Sequence, residues 1–320
     1  MSSWLVSKIL RAALNGRVSR HHQRTMRSAT QRPRGLVGLT LMAARLTLGW
    51  RSALALTLAL GALASPWKSC RGRDPLRVAT FNIENYPKAQ SQRDGAFEII
   101  RSMSVSAVAV QEITDPGDFA RTAAQRLGDS WRFAYPAVGP AQRVGVLYDS
   151  AALTLTGTTV HRECETFRGA RPAFEARFVD RDGEAVGLMV LHLRAGSTGQ
   201  AQRAEQLRAL APAITEGMRS ISRFVVLGDF NATGARDRDA IASLARETRA
   251  RWSSERLVCT SYWARPDACV TSALDQVLAN REARSIEALG PCESLGCGSR
   301  ALCPRFHREV SDHCPVRVAF

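Results

Sequence analysis

Short apolar runs that end on polar residues recur along this chain from residue 76 onward. The run 78–81 stops at Asn82, 105–110 leads into Gln111 and Glu112, and 224–227 gives way to Gly228-Asp229-Phe230-Asn231. Their length and β-branched content are those of buried strands. The same reading predicts strands over 76–83, 105–111, 131–135, 143–149, 152–160, 173–180, 185–193, 223–228, 257–263, 274–278 and 315–320. Helices are predicted over 93–103, 118–127, 200–217 and 237–246. The third has Ala204, Leu207, Leu210, Ala211 and Ile214, followed by Met218, at helical spacing.

Successive side chains on a strand point to opposite faces, so polar groups at strand ends crowd around one rim. A rim of carboxylates, amides and imidazoles suits a hard divalent cation and a phosphate ester. The last such group is Ser311-Asp312-His313-Cys314-Pro315, immediately before the final strand. The stretch 131–193 reads as strands with no helix between them, which excludes a simple doubly wound alternation. An α/β class follows, with mixed sheets packed face to face and covered by helices. No internal repeat or low-complexity block interrupts the chain.

Charge divides the 320 residues unevenly. Residues 1–64 hold ten Lys or Arg and no acid, and the first carboxylate is Asp74. Of the formal net charge of +15, only +5 belongs to 65–320, where 34 basic residues face 29 acidic ones. That weak excess is modest support for a nucleic-acid partner. In the leader, Arg45 and Arg51 precede the uncharged stretch 52–64, closed by Ala62-Leu63-Ala64, the pattern of an export signal. The stretch is shorter than the ~20 residues a spanning helix needs. The apolar segment 36–48 leaves an uncleaved anchor as the alternative. Translation from Met42 would place 1–41 outside the protein. The expected organisation is a basic leader and signal over 1–64, a linker over 65–75 and one catalytic domain over 76–320.

All eight cysteines follow the proposed cleavage site, and an even number in an exported domain points to disulfides. Cys259–Cys269 is the expected local pair. Cys292, Cys297 and Cys303 near His307 leave structural zinc as an alternative, although their spacings of five and six fit no usual knuckle.

Seven stretches now occur in a telling order: Thr80-Phe81-Asn82-Ile83, Val110-Gln111-Glu112, Gly145-Val146-Leu147-Tyr148, His192-Leu193, Gly228-Asp229-Phe230-Asn231, Leu274-Asp275-Gln276-Val277 and Ser311-Asp312-His313-Cys314-Pro315. Together they resemble the endonuclease/exonuclease/phosphatase superfamily, the fold of deoxyribonuclease I, over about 76–320. The resemblance implies a four-layer α/β sandwich and a Mg²⁺- or Mn²⁺-dependent phosphoric ester hydrolase. It assigns Glu112, Asn82 and Asp312 to the metal, Asn82 and Asn231 to the substrate phosphate, and His192, Asp229, Asp275 and His313 to catalysis; Arg143 is a candidate phosphate contact, with a surface position as the alternative. His313 takes Asp275 as the partner that fixes its tautomer, and Asp229 orients or deprotonates the attacking water. His192 is similar to the second histidine of the deoxyribonuclease I and sphingomyelinase branches. Deoxyribonuclease I orients that histidine with a glutamate, where this chain has Gln142-Arg143-Val144 and no acid. The implied protein is a secreted or periplasmic monomer acting on nucleic acid, with phospholipid or sugar-phosphate esters as alternative substrates and an inactive binding module as a third reading. No exposed aromatic hairpin that would favour lipid is evident in the sequence.

Overall fold

The computed structural model describes residues 75–320. The leader, signal and start-site expectations, and Cys70, lie outside the described residues.

Two strand–helix–strand units generate the parallel pairs of this fold. In the first, β1 (Arg77–Tyr86) crosses over through α1 (Gln90–Ser102) to β2 (Ala107–Ile113). In the second, β7 (Ala185–His192) crosses over through α3 (Gln200–Ser220) to β8 (Arg223–Asp229). Parallel neighbours need such long crossovers, and a helix covers the sheet while making one. The other strand pairs are antiparallel, so both sheets are mixed. One sheet runs β13 (Ser285–Ala288), β14 (Val316–Ala319), β1, β2, β4 (Arg143–Asp149), β3 (Trp131–Ala134). The other runs β5 (Leu153–His161), β6 (Ala173–Asp180), β7, β8, β12 (Asp275–Ala279), β9 (Arg251–Trp252).

The expected sandwich is present. Between the sheets lie Val78, Ala109 and Val146 from one and Phe174, Val190, Val225 and Val277 from the other. Alternate residues of the same strands face outward. Phe81, Val110 and Leu147 pack with Phe97 and Ile100 of α1 and Phe119 of α2 (Pro116–Leu127). Met189, Leu191, Phe224 and Val226 pack with Leu207, Leu210 and Ile214 of α3 and Leu244 of α4 (Ala235–Thr248). Burial on both faces explains why the central strands read as unbroken apolar runs. Helix, sheet, sheet and helix layers result.

The region 251–309 departs from the expectations. One strand expected over 257–263 is a hairpin, β10 (Ser261–Ala264) with β11 (Cys269–Ser272). The short elements β9, β13, α5 (Pro291–Ser294) and α6 (Arg305–Glu309) were not expected. They are too brief for periodicity to register and are largely solvent-facing. The expected Cys259–Cys269 pair is also wrong. The disulfides are Cys259–Cys297, Cys269–Cys303 and Cys292–Cys314. Pairing Cys269 opposite Ala264 leaves Cys259 beyond the hairpin end, and both cysteines reach the 295–303 loop instead. Chain-entropy arguments give each staple about 3–4 kcal/mol for the loops it closes. With Cys292, Cys297 and Cys303 all oxidised, the zinc alternative falls away. Cys164 is a buried free thiol, its pKa pushed up to about 11 by burial. These disulfides belong to an oxidising compartment. No helix among the described residues is long and apolar enough to cross a membrane.

Gly228 shows how tightly β7 and β8 approach at the functional rim. Its φ is 146°, and a Cβ there would lie 2.1 Å from the carbonyl oxygen of Leu191. Gly228→Ala is expected to cost about 3 kcal/mol through overpacking against rigid backbone and an unfavourable φ. A urea midpoint unchanged from that of the native chain would refute the clash.

Candidate active site

Strand register alone brings three of the expected residues together. His192 on β7 pairs with Asp229 on β8, and Asp229 pairs in turn with Asp275 on β12. The facing sheet contributes Asn82 from β1 and Glu112 from β2. Both lie at register shifts, between Asn82 and Tyr86 and between Val110 and Ile113. Bulges of this kind re-aim side chains at a sheet rim. The segment Ser311–His313 runs beside β1: Ser311 Oγ donates to the Asn82 carbonyl at 2.7 Å and accepts from the His313 N–H at 3.0 Å.

The two sheets meet through one amide. Asn82 Nδ2 donates to Asp229 Oδ2 at 3.1 Å and to Glu112 Oε1 at 3.3 Å. Asp229 also accepts from the backbone N–H and side-chain Nδ2 of Asn231, at 2.8 and 3.0 Å. Asn231 Nδ2 reaches the Leu193 carbonyl at 3.2 Å as well, so both of its amide hydrogens are engaged. His192 Nε2 lies 3.5 Å from Asp229 Oδ2 and 3.7 Å from Glu112 Oε1. His313 Nε2 lies 3.8 Å from Asp229 Oδ2 and 4.0 Å from Asp312 Oδ1, while Nδ1 meets Asp275 Oδ2 at 2.8 Å. Glu112, Asp229 and His313 therefore share one site. Arg143 does not join it: its Nη1 is buried without a hydrogen-bond partner beside Gly139.

Backbone strain concentrates here. Glu84, Asn85, Glu112 and Asn231 all have positive φ, between 46° and 62°. Asparagine tolerates this region, but each glutamate costs roughly 1–2 kcal/mol. Such strain persists where the surroundings over-determine it, most often at functional sites.

Burial and charge divide the protonation states. Burial pushes the Asp229 carboxyl up to about 7, with Asp275 adding to the rise and His313, Asn231 and Asn82 opposing it. Burial also disfavours the His313 imidazolium, but the charges of Asp275, Asp229 and Asp312 outweigh it and hold the pKa well above the ordinary histidine value. His192 goes the other way. Burial, then the positive charges of Arg171 and His313, hold it well below 6.5. Its Nδ1 is buried with no partner, as expected where no acid stands at Gln142.

Three contributors escaped the sequence reading. Gln142 Nε2 donates to Glu112 Oε2 at 3.0 Å and to Asn85 Oδ1 at 2.6 Å. Arg171 donates to Gln142 Oε1, and its charge acts on Glu112 and Asp229. Thr260 Oγ1 donates to Asp275 Oδ2 at 2.7 Å. Arg171 and Thr260 sit in irregular segments with no periodic signal; only the position of Gln142, beside Arg143, carried a hint.

The donors suit a hard cation. Glu112 and Asp312 offer carboxylate oxygens, Asp312 Oδ1 being buried without a hydrogen-bond partner, and Asn82 Oδ1 accepts the Glu84 N–H at 3.0 Å with one lone pair left over. That set fits Mg²⁺ or Mn²⁺. Asp229, Asp275 and His313 also have candidate ligand atoms within 4.8 Å of one another. There His313 Nδ1 and Thr260 already occupy Asp275 Oδ2, although Asp275 Oδ1 is buried without a partner, and an imidazole is a poor Mg²⁺ ligand.

A pH test follows from Asp229. Its folded pKa of about 7 exceeds the ordinary 3.8, so the folded state binds the extra proton. Its contribution to stability is therefore complete at low pH and lost as pH rises toward 7. With chelator present, the melting temperature of Asp229→Asn relative to the native chain should climb from about pH 4 to 7 and then level off. A pH-independent difference between the two would refute the assignment.

Comparisons with known proteins bear on the family and the fold. The family model described as Endonuclease/Exonuclease/phosphatase family matches residues 79–313. A search of curated proteins returned no match. Among solved structures, D. rerio TDP2 complexed with single strand DNA product aligns with a TM-score of 0.62 at 14% identity, over 77% of this chain and 98% of that one. The human Nocturnin catalytic domain with bound sulfate aligns at 0.56 and 18%, over 77% and 93%. The 3' phosphatase NExo from Neisseria, bound to product DNA hairpin, aligns at 0.54 and 14%, over 77% and 99%. At these identities the likeness is one of fold, deoxyribonuclease I-like. With the family model spanning both sheets and the rim between them, this chain belongs to the Endonuclease/Exonuclease/phosphatase family, whose members hydrolyse phosphoester bonds.

Proposed function

We propose that this chain is a secreted, Mg²⁺- or Mn²⁺-dependent phosphodiesterase that cleaves nucleic acid. The carrying observation is the meeting of Glu112 and Asn82 from one sheet with Asp229 and the Asp275–His313 pair at the edge of the other. Export is supported by the three disulfides and by the signal-like sequence before residue 65.

A divalent cation at Glu112, Asn82 and Asp312 supplies, when bound, positive charge against the phosphoryl and leaving oxygens. Asp229 is the proposed base. Its carboxyl sits near neutrality, and its Oδ2 is bracketed by both histidines. Asn231 holds that carboxylate in place; with its hydrogens engaged there and at Leu193, positioning is the better reading than phosphate binding. Asp275 anchors Nδ1 of His313, leaving Nε2–H to donate to a phosphoryl oxygen. His192 stays neutral and acts as a hydrogen-bonding group rather than a strong acid. Arg171 takes the anion-facing role that the sequence reading gave to Arg143.

A polymeric substrate is supported by what borders the site. Ala232 and Thr233, just after Asn231, and Ser272 and Ala273, just before Leu274, line a groove of about 440 Å³ with Arg238 and Arg256. Two of the similar structures hold DNA. A second reading, phospholipid, draws on one observation: the β10–β11 hairpin carries Trp263 at 56% exposure, with Val258 exposed just before it and Leu302 exposed beside the Cys303 that is joined to Cys269. The hairpin went unseen in the sequence.

The deciding assay incubates the oxidised protein with plasmid, RNA, sphingomyelin vesicles and a phosphomonoester, with Mg²⁺ and with EDTA. Plasmid or RNA cleavage that EDTA abolishes is expected; choline-phosphate release instead would move the substrate to lipid. His313→Ala should lower kcat by ~10² to 10⁴ while remaining folded. Turnover close to that of the native enzyme would remove His313 from the mechanism.

A further inference from the structure

The Asp275–His313 pair is not held by the two main sheets alone. Asp275 Oδ2 accepts simultaneously from His313 Nδ1 at 2.8 Å and from Thr260 Oγ1 at 2.7 Å. The same hydroxyl accepts the backbone N–H of Asp275 at 2.9 Å. Thr260 is fully buried, so this contact is shielded from competition with water. It has no aliphatic substitute: removing the hydroxyl leaves the Asp275 N–H and one carboxylate oxygen short of a partner.

Backbone contacts lock His313 to the same segment. Cys314 N–H donates to the Thr260 carbonyl at 2.7 Å, Tyr262 N–H donates to the Asp312 carbonyl at 2.8 Å, and Ser261 bridges to His313. Both sides of this clamp adjoin a cystine. Cys259 precedes Thr260 and is joined to Cys297; Cys314 follows His313 and is joined to Cys292. Behind the clamp there is almost no aliphatic core. Cys259, Cys269, Cys292, Cys314 and Tyr262 form a small cluster of their own, closed by Tyr262 O–H bonds to the carbonyls of Pro291 and Gly296 at 2.9 and 2.7 Å. Segments this short and exposed do not hold a fixed geometry unaided.

We propose that the cystine-knit segment 259–314 is a positioning device for the Asp275–His313 pair, that Thr260 is its point of contact, and that catalysis therefore requires the Cys292–Cys314 disulfide. This rests on the catalytic reading of His313 given above and goes beyond it by making activity conditional on oxidation. A dithiol such as dithiothreitol supplies two electrons and two protons, converting Cys292–Cys314 to two thiols while itself closing to a disulfide. The two sheets, whose cores contain none of these cysteines, remain packed. The histidine is then no longer held against its carboxylate. Displacement by about 1 Å is enough to lose about 10²-fold in rate. The chain is accordingly inactive while its cysteines are reduced and becomes active on reaching an oxidising compartment.

The test uses the oxidised full-length protein and the substrate it cleaves in the panel above. Thr260→Val should lower kcat at least tenfold with KM unchanged, and Thr260→Ser, which restores the hydroxyl, should recover most of it. Cys292→Ser combined with Cys314→Ser should lower kcat about 10²-fold while far-ultraviolet circular dichroism stays that of the native chain. Stepwise dithiothreitol treatment should extinguish activity in parallel with thiol appearance at Cys314, followed by mass spectrometry. Native kcat in Thr260→Val, or in the folded double-cysteine variant, would overturn the proposal. Should the double variant fail to fold, the valine–serine comparison decides alone. Absence of activity in the oxidised native protein would instead count against the catalytic reading itself.

Discussion

The Asn82 amide is the interaction on which the site depends. Its two hydrogens go to carboxylates on different sheets, Glu112 and Asp229. Each sheet is stable through its own ladder and its own helix layer, so nothing in the ladders sets how the two rims face each other. A buried amide between two acids does so with direction, because losing it would leave Glu112 Oε1 without its amide donor and Asp229 Oδ2 with Asn231 alone, at a cost of about 1–3 kcal/mol. Ser311 extends the link by tying the Asn82 carbonyl to the loop that carries His313.

That arrangement is held against its own preferences. Glu112, His192, Asp229 and His313, which would rather be hydrated, are linked in a chain of contacts under 4 Å, and Glu84 and Glu112 adopt left-handed backbone. Desolvation moves Asp229 toward neutrality and, with the charges of Arg171 and His313, lowers His192, whereas attraction to Asp275, Asp229 and Asp312 raises His313 against it. The same forces that destabilise the folded chain at this rim thus differentiate groups of similar chemistry into distinct protonation states. Stability comes from elsewhere, chiefly the inter-sheet core and the two helix-covered faces.

The 251–314 region completes the site by different means. It has few residues to bury and obtains its order from cystines, which act by limiting the unfolded chain and so do not depend on an apolar core. This is why a segment with short, poorly patterned strands can still hold Thr260 and Cys314 in register with the sheet residue Asp275.

Long apolar runs closed by polar residues were sufficient to locate β1, β2 and β8 and to mark Asn82, Glu112 and Asp229, because periodicity and burial are local properties of consecutive residues, whereas Asp275 came from the family resemblance. The order of motifs likewise identified His192 and His313 before any geometry was known. Cystine pairing was not legible, since it depends on where a hairpin ends and which loop lies against it. The same holds for Arg171, Gln142 and Thr260, which reach the site from irregular segments, and for Arg143, whose guanidinium is buried beside Gly139. What a residue does when its neighbours are near in sequence is written in the chain; what it does when those neighbours arrive from a hundred residues away is decided only when the sheets close on each other, because only then do distance, desolvation and competing hydrogen bonds exist.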